Sequence, residues 1–146
     1  MGLKAAIPLL ALLLASCATS KSYSSCKQDV ERLKAAINET AYFLEALESE
    51  LLAADTAVRQ CDAQIESCTA SLWIEKLEQI DLQTIDARSR FTRADELWRP
   101  EACLDYTSAY RINPPPPERY KAYYETYDKV ERQIDELMDW FGVFLD

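Results

Sequence analysis

The sequence predicts an all-α protein, a long antiparallel helical hairpin with a third C-terminal helix. Three observations point there. Apolar residues recur at alternating spacings of three and four over most of the chain, the period of a helix with one buried seam. No stretch alternates polar and apolar as a half-buried strand does. The helix breakers are few, two glycines and six prolines. The alternative is a long parallel coiled-coil dimer, in which the same seam faces a second chain.

The first element is not part of that domain. Lys4 precedes an apolar run from Ala5 to Ala15, eleven residues broken only by Pro8. A membrane-spanning helix needs about 20, so residues 1–16 read as a secretory signal. The run ends in Leu14-Ala15-Ser16-Cys17. This box resembles that of bacterial lipoproteins, in which the cysteine follows a small residue with a leucine three positions before it. The resemblance covers the first 17 residues. It implies diacylglyceryl and acyl (palmitate) modification of Cys17 and removal of the signal before it. Two or three chains, at about 0.8 kcal/mol per buried CH₂, make a stable anchor where one does not. Ala18 in place of Asp resembles the outer-membrane sorting pattern. The implied location is the cell envelope, at the outer membrane facing the periplasm. Residues 17–25 then read as a polar lipidated tether, and 26–146 as the helical domain.

In the first helix the seam runs through Val30, Leu33, Ile37, Thr40, Leu44, Leu47, Leu51, Ala54, Val58, Cys61, Ile65, Cys68 and Leu72. A second register starts at Trp73 and continues through Leu77, Ile80, Thr84, Ala87, Phe91, Ala94 and Trp98, offset by one residue from the first. The offset marks either a stutter in one helix or a turn near residues 62–71. Pro100 ends the second stretch. Arg99 to Pro117 reads as irregular and closes on a polyproline spacer, Pro114 to Pro117. The third helix has its seam at Tyr120, Tyr123, Tyr127, Val130, Ile134, Leu137, Phe141 and Phe144.

The remaining cysteines, Cys26, Cys61, Cys68 and Cys103, discriminate between hairpin and dimer. An exported chain meets an oxidising compartment, and an even count favours disulfides. Zinc would want CxxC pairs or histidines, and neither is present. Both spacings, 26 to 61 and 68 to 103, are the same. A hairpin turning near residues 64–65 therefore sets Cys61 beside Cys68 and Cys26 beside Cys103. Against it, no Gly or Pro marks a turn there. A single helix over 28–99 would be roughly 108 Å long, with Cys61 and Cys68 free to bridge a parallel partner. The mirrored spacing and the register offset favour the hairpin.

Composition narrows function mainly by exclusion. The chain has 146 residues, room for one domain, with 16 Lys plus Arg, 25 Asp plus Glu and no histidine. Histidine-based acid/base pairs, His-ligated metals and Gly-rich phosphate loops all lack their residues. A formal charge of -9 disfavours nucleic-acid binding, which rewards clustered cations. Glu45, Glu48 and Glu50 lie among polar residues on a helix face, and no spacing selects a catalytic pair, a metal set or a cofactor site. A non-enzymatic role is expected.

Two regions remain as partner-binding candidates. Six of the eight tyrosines lie between Tyr106 and Tyr127, around the proline run. Tyr123, Tyr124 and Tyr127 could be core or a docking surface. The chain also ends in an apolar stretch containing Trp140, Phe141 and Phe144, which must fold back or meet a partner. The expected function is that of a membrane-anchored envelope adaptor with one protein partner. The alternatives are a pilot lipoprotein of a secretion or conjugation complex, and a self-assembling coiled-coil spacer, a homo-oligomer.

Overall fold

A computed structural model describes residues 20–64 and 68–145. The signal segment, Cys17 and Ile65 lie outside them. Helix α1 spans Tyr23–Asp62 and α2 spans Ala70–Leu97, about 60 and 42 Å at 1.5 Å per residue. A 3-10 turn at Pro100–Cys103 and a short α3 at Leu104–Ser108 follow. A single turn, α4, at Pro117–Tyr120 leads into α5, Ala122–Gly142. Helices α1 and α2 form the antiparallel hairpin, and α5 packs against both. The cysteines pair within the chain, Cys26 with Cys103 and Cys61 with Cys68, at Cα–Cα separations of 5.9 and 4.9 Å. The described residues contain no strand.

Serine chemistry sets the start of α1. Ser22 is in extended conformation, and its hydroxyl accepts the Ser25 N–H at 3.1 Å, a helix N-cap. The expected tether is accordingly shorter than residues 17–25, because the serines that read as linker cap and open the helix. Lys21 is already fixed. Its N–H donates to the Ala102 carbonyl at 3.1 Å, and its ammonium reaches the buried Asp29 carboxylate at 2.7 Å and the Leu97 carbonyl at 2.9 Å.

The hairpin turn has no glycine. Helix α1 ends with Ala63 donating to the Arg59 carbonyl and Gln64 to the Cys61 carbonyl, each at 3.0 Å. Gln64 adopts φ 58°, the left-handed conformation that glycine usually supplies and that costs an L-residue about 1–2 kcal/mol. Cys61–Cys68 closes the chain across this turn. The first heptad run therefore stops at Cys61, and Leu72, which that run placed in the seam, is exposed.

Elsewhere the periods locate the core. Val30, Leu33, Ile37, Thr40, Leu47, Leu51, Ala54, Val58 and Cys61 are buried on α1. Leu77, Ile80, Thr84, Ala87, Phe91 and Ala94 are buried on α2, with Trp98 just beyond it. The core forms two clusters along the bundle, one around Cys26–Cys103, Phe91 and Tyr127, the other around Cys61, Leu77, Ile134 and Phe141. Phe43 and Leu44 pack against both.

The segment from Arg99 to Pro117 is more ordered than its composition suggests. Pro100 opens the 3-10 turn, where its fixed φ suits a first position. Helix α3 ends in a Schellman-type cap, with Arg111 donating to the Tyr106 carbonyl at 2.9 Å and Tyr110 to the Thr107 carbonyl at 3.1 Å. Tyr110 occupies the left-handed position at φ 58°. The prolines then run extended, with Pro116 at φ -66° and ψ 137°.

Candidate functional site

Four of the tyrosines near the prolines, Tyr120, Tyr123, Tyr124 and Tyr127, pack into the core. Phe91 on α2 is ringed by Tyr120, Tyr123, Tyr124 and Tyr127, with ring centroids 5.0–6.4 Å away. Tyr127 is fully buried, and its hydroxyl meets that of Thr40 at 3.3 Å. Tyr123 and Tyr124 are half-buried. The Tyr124 hydroxyl donates to Asp95 at 2.7 Å, and the same carboxylate accepts from Lys121 at 2.8 Å. Burial, then the Asp95 carboxylate, pushes the Tyr124 phenol well above its ordinary range, and burial raises Tyr120 and Tyr127 too. These phenols stay neutral and serve as hydrogen-bonding groups of a packed interior.

The apolar C-terminus divides between two roles. Phe141 is buried and stacks on Trp73 with centroids 6.0 Å apart and planes 3° from parallel. Phe144 packs at the edge of the same cluster. As a partner-binding residue, Phe141 is thus corrected along with Tyr127: each ring fills an interior space that no partner can reach. Trp140 is different, 57% exposed on the outer face of α5. With Glu136, Asp139 and Val143 it lines a shallow cavity of about 310 Å³. It also closes one end of a groove of about 430 Å³ between α1 and α5, lined by Asp55, Lys129, Arg132 and Glu136. Val143, which the sequence did not single out, is exposed beside it, and Leu145, which widens the apolar face in the sequence, is exposed too. The period could have found Val143, which falls off the buried seam one turn from Trp140.

The opposite end of the bundle gathers round the start of α1. Tyr23 meets Tyr106 edge to face at 5.4 Å, and the Arg111 guanidinium lies over the Tyr23 ring at 4.4 Å. Leu104 and Tyr110 stand out from this end, 63% and 93% exposed. The sequence carries no sign of Tyr110's exposure, because the left-handed cap it occupies usually announces itself by Gly or Asn. Cys17 lies outside the described residues, but the chain leads to it from here.

Among the described residues, no cluster of three or more His, Cys, Asp or Glu could hold a metal ion. No helix among them is long and apolar enough to cross a membrane. Every buried side-chain nitrogen or oxygen among them has a hydrogen-bond partner. Glu45, Glu48 and Glu50 are exposed. Comparison with protein-family models, with curated proteins and with solved structures finds no match to this chain.

Proposed function

We propose that the chain is a lipid-anchored protein of the bacterial cell envelope, at the outer membrane facing the periplasm, and acts without catalysis as an adaptor for one protein partner. Acylated Cys17 holds one end of a rigid helical rod, and the far end presents an apolar patch. The observation that carries this reading is the exposure of Trp140 and Val143 on one shallow cavity, at the end of the bundle away from Lys21. Exposed tryptophan beside aliphatic side chains and a polar rim is the composition of an interface hot spot. Stapling at both ends by disulfides supports a preorganised surface, which lowers the ordering cost of binding.

The pilot reading shares this geometry and differs in the client it carries. The spacer reading is less supported, because the described seam of α1 and α2 and the four cysteines are used within one chain. In-cell crosslinking and purification of the lipidated protein, parent against Trp140→Glu, tests the proposal. One stoichiometric envelope partner, lost in the variant, supports the adaptor. Crosslinks only between copies of the chain, unaffected by the variant, contradict it and favour the spacer.

A further inference from the structure

We propose that the end of the bundle bearing Leu104 and Tyr110 seats on the headgroups of the bilayer that holds the chain, so that the rod stands on the membrane and does not swing from a loose tether. The inference rests on the lipid anchor at Cys17 and adds to it a second contact made by the folded body.

Reach is the first reason. Lys21 is pinned to Asp29, Leu97 and Ala102, and only Ala18, Thr19 and Ser20 separate it from Cys17. Four Cα–Cα steps span at most about 14 Å. An acylated Cys17 at the interface therefore keeps this end within about 14 Å of it, roughly two headgroup layers' depth.

Charge is the second. Residues 20–29 and 97–113 carry Lys21, Lys27, Arg99 and Arg111 against Asp29, Glu101 and Asp105, and Asp29 is bound by Lys21. At the other end, residues 55–76 and 135–145 carry seven acids against Arg59 and Lys76. The chain as a whole is strongly acidic, but the end nearest Cys17 is not. An anionic surface therefore orients the rod with this end inward and the acidic end outward.

The third is Tyr110 itself. It holds the left-handed cap position, where an aromatic residue is strained, and its ring is almost entirely exposed. A tyrosine at the headgroup level, apolar ring inward and hydroxyl in water, is in its favoured environment. Leu104, on the preceding short helix, adds apolar surface at the same end.

Hydroxyl-radical footprinting of the full mature protein tests this. Lipidated protein on vesicles of phosphatidylethanolamine and phosphatidylglycerol is compared with the Cys17→Ser protein free in solution. Labelling of Tyr110 and Leu104 should fall several-fold on the vesicles, while Tyr42 and Trp140 keep their rates. Equal labelling of all four residues in the two samples, with Cys17 acylated, overturns the seat and leaves the anchor standing. Absence of acyl mass on Cys17 overturns both.

Discussion

Glu39 and Arg90 form an ion pair at 2.7 Å across the hairpin, and both are equally far from a point midway between residues 64 and 65. Cys26 with Cys103 and Cys61 with Cys68 are mirrored about the same point. Three cross-links spread over the length of α1 and α2 thus share one register. The two helices run past each other without slipping, and the stapled pair offers α5 a continuous groove.

The two disulfides should differ in worth. In the chain-entropy view the long loop closed by Cys26–Cys103, with a sequence separation of 77, contributes about 4 kcal/mol, and the short one closed by Cys61–Cys68, separation 7, about 2.5 kcal/mol. Chemical denaturation of the paired Cys→Ala variants should show the larger loss for 26/103.

Gln64→Gly should raise stability by about 0.5–1 kcal/mol, because glycine takes the left-handed turn without strain and gives back part of the gain as unfolded-state entropy. Tyr110→Gly should behave alike in melting experiments, yet lose its contact with lipid. A stabilising change that weakens the membrane contact separates function from folding at that position.

Lys21→Met strands the Asp29 carboxylate, which is 4% exposed. Removing one partner of such a pair leaves a buried charge uncompensated, and a loss of about 2–3 kcal/mol is expected, since Lys21 itself keeps some solvent. The double variant Lys21→Met, Asp29→Leu should recover much of that loss.

Phe91→Ala should cost about 3–5 kcal/mol, as a cavity opens inside a ring of four tyrosines. Tyr127→Phe should cost about 1 kcal/mol, the worth of its hydroxyl contact with Thr40.

Asp81 gives a pH dependence of known sign. Burial, and then the nearby Asp135 and Glu131 carboxylates, raise its pKa. The folded state therefore holds this proton more tightly than the unfolded chain, and the contribution to stability falls as pH rises from the unfolded value through the raised one. Asp81→Asn should raise the Tm at neutral pH and flatten the acidic part of the Tm–pH curve.

The seams of all three long helices were legible because burial on a helix leaves a period, and Leu33, Phe91 and Ile134 fall where that period puts them. The cysteine spacing carried the hairpin for a related reason: mirrored positions are what an antiparallel pair requires. The cysteine spacing also placed the turn near residue 64, but the left-handed conformations of Gln64 and Tyr110 were not legible. Both use the left-handed conformation without glycine, and there tertiary constraint overrides local preference. The partition of the aromatic residues was only half visible. A helical wheel places Tyr127 and Phe141 inward on α5, but which surface of the hairpin covers them is a tertiary fact. Trp140 and Val143 stay outside because the hairpin has two helices and α5 has a second face.

Peptide mass spectrometry of the protein extracted from membranes addresses the anchor most directly. The expected result is a mature chain beginning at Cys17, with a diacylglyceryl group on its sulfur and an acyl chain on its amine. An unmodified Cys17, or a mature chain beginning after it, would contradict lipid anchoring and leave a disulfide-stapled helical rod without a membrane address.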